Sequence, residues 1–322
     1  MSPSKPVAME SFDSLEIDPE GYMALNGGEA PESLSDLGVW MSLEDYLYKG
    51  GCPHCGTELT SHADHRHDGS EYEEVSLEYG LSYCARCRFW QWLWIDYQTV
   101  GVGKFRLMEG CPPGPLQKAC ISKLREFDSD LPEGVSTELA RYLRANPDAW
   151  HRYDPTRFEK LVADIYRANH RHSEVVHVGK PDDGGVDVVM VDSGGQQWLI
   201  QAKRRERPNC AEGVSTVRNL VGTLTIEGAL RGVVVSTADR FSLRARQTAT
   251  RVLDRGLVVE LVDKGVLDRM LEPCLPTAPW LEVAARDYPD IGEAIGLGTN
   301  DPNQLSLFEE PASASSLKSL YT

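Results

Sequence analysis

The 322-residue sequence lacks the features that mark a membrane, secreted or strongly basic protein. It contains no run of about 18 apolar residues, which a membrane-spanning helix needs. Its first residues, MSPSKPVAMESFDSLEID, contain neither a basic segment nor an apolar stretch, so they do not resemble a secretory signal. Basic residues are also fewer than acidic ones: the chain has 33 lysines and arginines and 49 acidic residues, which gives a net charge of −16. We therefore expect a cytoplasmic protein that does not bind membranes.

The negative net charge is unevenly distributed along the chain. Residues 151–274 contain 19 basic and 17 acidic residues, a net charge of +2, whereas the remainder carries a net charge of −18. A strongly negative surface disfavours a polyanionic partner such as nucleic acid. Because the acidity lies outside residues 151–274, that segment remains able to bind nucleic acid.

Both ends of the chain lack the periodicity of helices or strands. Residues 1–38 are acidic and contain serine, proline and glycine, which predicts disorder. Residues 276–322 end in Ser/Ala-rich sequence and are predicted to be a flexible tail. Residues 111–150 start with the turn formers of GCPPGP and continue with two patterns interpreted as helices, the first beginning near residue 117. This segment is therefore predicted to be a helical connector.

Residues 151–275 alternate between helical and strand patterns. Asp154 followed by Pro155 is typical of a helix start, and apolar residues then recur at helical spacing. Three strands are predicted between residues 174 and 203, followed by helices that alternate with the buried strands RGVVVST and LVVELVD. The pattern predicts an α/β fold with a central sheet and helices packed on it.

Polar residues interrupt two of these predicted strands. Side chains alternate between the faces of a strand, so Gln201 and Lys203 point the same way. A hairpin through the SGGQ turn would place Asp187 beside them. Carboxylate and amide oxygens bind Mg²⁺, the bound metal activates water, and a lysine stabilises charge on a phosphate. Since glutamate is a stronger ligand than glutamine, Glu159 on the preceding helix is the candidate for a second carboxylate.

This set of residues is typical of phosphodiester hydrolysis, and a plainer interpretation stays open. In that interpretation Asp187 caps a turn, and Gln201 and Lys203 lie on a solvated strand face.

The stretch from about residue 154 to 268 resembles the Mrr-type restriction endonuclease catalytic domain of the PD-(D/E)xK nuclease superfamily. The matching pieces are DPTRFEKLVADIY, VHVGKPDDGGVDVV, LIQAKR, VRNLVGTL, GVVVSTADRFSLRARQTA and VVELVD. The resemblance implies a restriction-endonuclease-like central mixed sheet, cleavage of double-stranded DNA with Mg²⁺ or Mn²⁺, and a homo-oligomer. It also implies that Asp187 and Gln201 bind the metal, that Lys203 is the catalytic lysine and that Glu159 is an accessory acid. Glutamine before the lysine is a recognised form in that group.

Arginines follow the lysine and also surround a later helix. Arg204 and Arg205 are interpreted as phosphate contacts, since lysine and arginine dominate binding to a nucleic-acid backbone. The later arginines are interpreted as a solvated face with intrahelical ion pairs; they are Arg240, Arg244, Arg246 and Arg251.

Two Cys-x-x-Cys pairs lie in residues 39–110, within GGCPHCGTEL and SYCARCRFW. Four thiolates at this spacing are typical of a closed, structural zinc site, so Cys52, Cys55, Cys84 and Cys87 predict a zinc ribbon. Four buried free cysteines would not explain two identical spacings. The polar stretch HADHRHDGSEYEE between the pairs is predicted to be an exposed loop. Whether the ribbon binds DNA, binds a partner or stabilises the fold stays open.

The segment QLSLF resembles the pentapeptide with which bacterial DNA polymerases and repair proteins bind the β sliding clamp. An accessible tail would offer an amide for hydrogen bonds and apolar side chains for a pocket. The five residues are Gln304, Leu305, Ser306, Leu307 and Phe308. The alternative is that the apolar residues fold back onto the protein as a strap.

Together these features predict a metal-dependent DNA endonuclease in restriction, anti-phage defence or replication-linked repair, recruited by the sliding clamp. The alternative is a DNA-binding or clamp-recruited adaptor with a degenerate nuclease fold that does not cut.

Overall fold

The computed structural model describes residues 15–17, 22–27, 47–70, 73–100, 116–128, 131–179 and 185–281. The chain divides into two compact units, the first formed by residues 1–123 with 276–322 and the second by residues 124–275. No helix in the described part is long and apolar enough to cross a membrane. The predicted clamp motif at 304–308 lies outside the described residues.

The first unit contains a six-stranded sheet in which every neighbouring pair is antiparallel. Along the chain its strands are β1 (Leu15–Ile17), β2 (Tyr22–Gly27), β3 (Thr60–Ser70), β4 (Glu73–Tyr83), β5 (Trp90–Val100) and β6 (Leu116–Ser122). Their order across the sheet is β1-β2-β6-β5-β4-β3. Buried apolar side chains from the inner strands, among them Leu81, Trp92 and Ile121, form the core of this unit.

Two short stretches of residues 1–38, a segment predicted to be mostly disordered, form the strands β1 and β2. Two other predictions for this unit are wrong. The predicted loop at 62–74 forms most of β3 and the first two residues of β4. The predicted helix near residue 117 is strand β6, in which Cys120 lies opposite Trp92 of β5. Burial of Cys120 between β2 and β5 explains this difference, because packing against neighbouring strands outweighs a local preference for helix.

The second unit contains five helices, seven strands and two short 3₁₀ segments among its described residues. The helices are α1 (Thr137–Ala145), α2 (Pro155–Asn169), α3 (Val214–Glu227), α4 (Leu243–Leu253) and α5 (Lys264–Arg269). The strands are β7 (Glu174–His177), β8 (Val188–Val191), β9 (Gln197–Lys203), β10 (Ala211–Glu212), β11 (Arg231–Ser236), β12 (Arg240–Phe241) and β13 (Val258–Val262). The 3₁₀ segments are Pro147–Arg152 and Glu272–Cys274.

Five of these strands form a mixed sheet in the order β13-β11-β9-β8-β7. Strands β7, β8 and β9 are joined by antiparallel pairing, whereas β9, β11 and β13 run parallel. The two-residue strands β10 and β12 form a separate parallel pair. The predicted central mixed sheet with flanking helices is confirmed.

Helices cover both faces of the mixed sheet because its central strands are apolar on both sides. Ile200 belongs to a core cluster with α1 and α2, and its neighbour Leu199 belongs to a second cluster with α3 and α4. Helix α2 begins as predicted, with the Asp154 carboxylate accepting hydrogen bonds from two backbone N–H groups of the first turn. Because α1 packs into the same cluster as α2, the second unit starts at Leu124, before the predicted boundary at residue 151.

Candidate active site and cysteine cluster

The predicted catalytic residues meet at one end of the mixed sheet. The β8–β9 ladder ends with Val188 opposite Ile200, and continuing this register by one residue places Asp187 opposite Gln201. Lys203 is the last residue of β9 and pairs with Ser236 at the end of β11. The hairpin therefore brings the carboxylate and the amide together, with the lysine two residues further along the same strand.

The main chain holds Asp187 in place. Its backbone N–H donates to the Ile200 carbonyl (3.0 Å), and its own carbonyl accepts from Val178 (2.9 Å) and Gly179 (3.1 Å). Its carboxylate oxygen Oδ2 accepts from the backbone N–H of Ala202 at 2.7 Å. The side chain is 7% exposed, so the carboxylate lies almost entirely within the protein. A turn cap would be exposed, and this burial argues against that interpretation.

Gln201 carries an unsatisfied acceptor. Its amide nitrogen Nε2 donates to the Gly185 carbonyl at 2.9 Å, which sets the orientation of the amide. Its oxygen Oε1 is buried and has no hydrogen-bond partner in the described part of the chain. Leaving a buried carbonyl oxygen without a partner destabilises a protein by about 1–3 kcal/mol. A bound cation would satisfy this oxygen, so the donor set of Asp187 and Gln201 fits a divalent metal.

Two glycines leave room for the polar side chains of the site. A Cβ atom on Gly185 would lie 2.6 Å from Gln201 Nε2, and Gly185 has a φ of +83°, a conformation that favours glycine. A Cβ atom on Gly179 would lie 2.6 Å from Glu159 Oε2 and 3.1 Å from His177 Nε2. The positive φ of Gly185 therefore requires glycine, whereas a side chain at Gly179 would displace the ends of Glu159 and His177.

Glu159 on α2 pairs with a histidine that the sequence analysis did not single out. His177 ends β7, and its Nε2 lies 3.3 Å from Glu159 Oε2. Both side chains are about four-fifths buried, with 21% and 20% exposed. The carboxylate lies beside Gly179, whose N–H donates to the Asp187 carbonyl, so Glu159 lies near Asp187. A single histidine in a strand pattern has no distinctive spacing, so no sequence signal identifies it.

The basic residues that follow in the sequence differ in their surroundings. Lys203 is partly exposed and forms no ion pair with any described residue, which leaves its ammonium group available. Arg204 Nη1 lies 3.6 Å from Glu206 Oε1. Arg205 forms a bidentate ion pair with the fully buried Glu212, in which Arg205 Nε lies 2.8 Å from Glu212 Oε2. This internal pairing differs from the open phosphate contact that the sequence predicted for Arg205.

Glu212 organises the chain around the end of β9. Besides Arg205, it accepts hydrogen bonds from Thr216 Oγ1 (2.6 Å) and Ser236 Oγ (2.8 Å). Burial raises its pKa, but the hydrogen bonds and the Arg205 charge outweigh burial and hold the pKa below the ordinary glutamate value. Since Ser236 pairs with Lys203, this network fixes the strand end that carries the lysine.

The first unit contains a four-cysteine cluster, formed as predicted by Cys52, Cys55, Cys84 and Cys87. The sulfur atoms lie within 4.8 Å of one another, with three separations of 3.5, 3.5 and 3.8 Å. A zinc ion with metal–sulfur bonds of 2.3 Å in tetrahedral geometry would place its sulfurs about 3.8 Å apart. A disulfide needs about 2.05 Å, so the sulfurs are not bonded to each other. The donor set fits a closed zinc site.

Two tight turns build this cluster. In the first, Gly56 N–H donates to the Cys52 carbonyl (2.9 Å), and in the second Arg88 N–H donates to the Cys84 carbonyl (3.0 Å). Both donor residues have positive φ, +71° and +57°. Hydrogen bonds among the four sulfurs lower the pKa of Cys55 and Cys84 and raise that of Cys52 and Cys87.

Comparison with known proteins connects the mixed sheet to a family. Residues 150–271 match the family described as a restriction endonuclease, Mrr_cat. This segment contains the whole mixed sheet and all four predicted catalytic residues. No curated protein matches the chain.

Two solved structures are similar to the chain. One is the crystal structure of a repair endonuclease from Pyrococcus abyssi, with 15% identity over 63% of this chain and 83% of that chain and a TM-score of 0.22. The other is the structure of EndoMS in apo form, with 15% identity over 64% of this chain and 84% of that chain and a TM-score of 0.19.

Proposed function

We propose that this protein is a metal-dependent DNA endonuclease that hydrolyses phosphodiester bonds. The proposal rests on the buried Asp187 carboxylate opposite Gln201, whose Oε1 has no hydrogen-bond partner among the described residues, inside a segment that matches a restriction endonuclease family. Buried polar atoms are normally satisfied, so an unpartnered oxygen beside a buried carboxylate indicates a site that binds a ligand. The available ammonium group of Lys203 at the same strand end supports a phosphate ligand.

Each residue would contribute a separate part of the chemistry. Asp187 and Gln201 would hold Mg²⁺ or Mn²⁺, which when bound supplies charge neutralisation at the phosphate and a more acidic water. Lys203 would stabilise the charge that develops on the phosphate in the transition state. Glu159 would act as an accessory acid, kept in position by His177.

The test is cleavage of supercoiled and linear plasmid, modified and unmodified, with Mg²⁺ or Mn²⁺. We expect wild-type protein to cut and both Asp187→Asn and Lys203→Ala to lose at least about a hundredfold in rate. Asp254→Asn is the matched control, because Asp254 is an exposed aspartate at the end of α4. Cutting by Asp187→Asn at the wild-type rate contradicts the proposal. Binding of DNA without cutting by the wild type favours the non-cleaving alternative.

Binding of Mn²⁺ provides a readout that does not depend on activity. Calorimetric titration should detect Mn²⁺ binding that disappears in Asp187→Asn and persists in Asp254→Asn. Equal binding to all three proteins would place the metal elsewhere.

We also propose that Cys52, Cys55, Cys84 and Cys87 hold a structural Zn²⁺ and that QLSLF recruits the protein to the β sliding clamp. The sulfur geometry supports the first proposal, and the sequence of residues 304–308 supports the second. Recruitment would place the nuclease in replication-linked repair or in defence against invading DNA. Deletion of 304–308 should abolish binding to purified clamp and leave plasmid cleavage unchanged; clamp binding by the deleted protein contradicts the second proposal.

The resemblance to Mrr-type domains also leads us to propose a homo-oligomer, in which two copies cut the two strands of a duplex. Sedimentation of the full chain should give a mass of at least twice the 35.8 kDa of one chain. A monomer that still makes double-strand cuts contradicts this proposal.

A further inference from the structure

Arginine is concentrated in the segment that runs from α3 to two residues beyond α4. Residues 214–255 contain seven arginines and three acidic residues, although the whole chain has a net charge of −16. A local excess of positive charge on an otherwise acidic protein determines where a polyanion can approach. The positive charge of this segment therefore favours contact with DNA outside the candidate catalytic residues.

Helix α4 has no acidic residue to balance its arginines. Its sequence LRARQTATRVL contains Arg244, Arg246 and Arg251, all of them exposed. None of the three forms an ion pair with a described residue, including Asp254 one turn beyond Arg251. The intrahelical pairing expected from the sequence is thus absent from this helix, and its positive charge is unneutralised.

Two of these arginines share one side of the helix. Positions i, i+3, i+4 and i+7 lie on one face, so Arg244, Gln247, Thr248 and Arg251 form a continuous strip, here called the α4 arginine face. A different side of the helix carries Ala245, Ala249 and Val252, which are buried in the core cluster with α3. At about 100° per residue, Arg246 lies about 200° around the helix from Arg244 and outside the strip.

The α4 arginine face starts at the sheet end that holds the candidate site. Strand β12, immediately before α4, pairs with β10, and Glu212 of β10 bonds to Ser236 beside Lys203. From Arg244 to Arg251 the helix rises about 10.5 Å, which corresponds to about three nucleotide steps of one DNA strand. The face is therefore long enough for its two arginines to contact separate phosphates of one strand.

We propose that the α4 arginine face binds the phosphate backbone of duplex DNA next to the cut site. The guanidinium groups of Arg244 and Arg251 would contact phosphates, and the Gln247 amide would donate a hydrogen bond to the same strand. The Thr248 hydroxyl already donates to the Arg244 carbonyl at 2.8 Å and separates the two arginines on the strip. Such contacts position the duplex and carry no base specificity. The location of the cut relative to this face rests on the proposed nuclease function, whereas DNA binding by the face does not.

The experiment measures DNA affinity as a function of salt. Full-length protein carrying Asp187→Asn, with neither divalent metal nor chelator added, is titrated onto a labelled duplex of about 30 base pairs at about 50–200 mM salt. Arg244→Gln and Arg251→Gln should each reduce the slope of log K against log salt by about 0.9, and the double variant by about 1.8. Affinity should fall about fivefold per arginine at about 0.15 M salt.

Arg246→Gln is the matched control, because it removes the same charge from the same helix outside the strip. It should leave the slope nearly unchanged, and thermal unfolding of all variants should match the parent, since these side chains are exposed. An equal effect of all three substitutions, an unchanged slope in the double variant, or a parent that binds no duplex overturns the proposal. If the wild type does not cut DNA but the slopes change as expected, the nuclease proposal fails and this one stands.

Discussion

At the scale of single residues, the candidate site depends on contacts between positions far apart in sequence. The alternation of a strand is enough to predict that Gln201 and Lys203 face the same way and that a hairpin brings Asp187 to them. It does not predict the orientation of the Gln201 amide, because the Gly185 carbonyl that sets it lies 16 residues earlier. The sequence does not predict the His177–Glu159 and Arg205–Glu212 pairs either, because only the tertiary fold brings their side chains together.

Gly185 gives a direct test of this arrangement. Replacing it by alanine places a Cβ atom 2.6 Å from Gln201 Nε2 in a backbone conformation with a φ of +83°. Gly195 is the matched control, since its φ is +75° but nothing lies within 4 Å of an added Cβ. Thermal unfolding should show about 1 kcal/mol lost in Gly195→Ala and about 2–3 kcal/mol in Gly185→Ala.

The two variants should also differ in function. Gly185→Ala should lower the rate of plasmid cleavage because it displaces the Gln201 amide, and Gly195→Ala should not. Equal losses of stability in the two variants, with normal cleavage by both, would show that the space beside Gly185 has no role in the site.

At the scale of elements, periodicity predicts the second unit well and the first unit poorly. Helix α2 and strands β9 and β11 have apolar residues at the spacing of their own type and are buried accordingly. Strand β6 has a pattern that suits a helix locally and becomes a strand because β2 and β5 pair with it on both sides. Strand β4 has the alternating apolar residues of a strand, from Val75 to Tyr83, whereas β3 is polar and has no hydrophobic pattern. Its eleven positions paired with β4 identify β3 as a strand.

The Glu212 network joins β10, α3 and β11, and its stability should depend on pH. The pKa of Glu212 is lowered in the folded protein, so its contribution is fully present above the ordinary glutamate pKa. That contribution is lost as the pH falls through the lower folded value. Glu212→Gln breaks the ion pair with Arg205, whose side chain is 43% exposed, and should destabilise the second unit by about 1–3 kcal/mol at neutral pH.

Because protonation of Glu212 removes the same interaction, the difference between wild type and Glu212→Gln should shrink at acidic pH. Thermal unfolding at pH 7 and at a pH below about 4 measures it. The exposed Glu227 at the end of α3 gives the control substitution Glu227→Gln, which should have little effect at either pH. A penalty for Glu212→Gln that stays constant with pH would contradict the lowered pKa.

At the scale of the whole molecule, the two proposed metals belong to different units with separate sheets and cores. Removal of zinc should therefore unfold only the surroundings of the cysteine turns. Structural zinc contributes about 10–16 kcal/mol of folding free energy in small zinc-binding peptides. The remaining contacts of the two cysteine turns are therefore expected to be too weak to keep the turns folded without zinc. Cys84→Ser should release zinc and increase hydrogen exchange in residues 50–60 and 81–93, where the backbone hydrogen bonds of both turns lie.

The mixed sheet of the second unit should keep its protection in the same experiment, because both of its core clusters consist of residues of that unit. Cys210→Ser is the matched control, since Cys210 is a partly exposed cysteine of the second unit outside the cluster. It should retain one zinc per chain, measured by elemental analysis, and exchange like wild type. Protection lost from both units in Cys84→Ser would mean that the nuclease sheet folds only on an intact ribbon, and zinc would then control cleavage as well as structure.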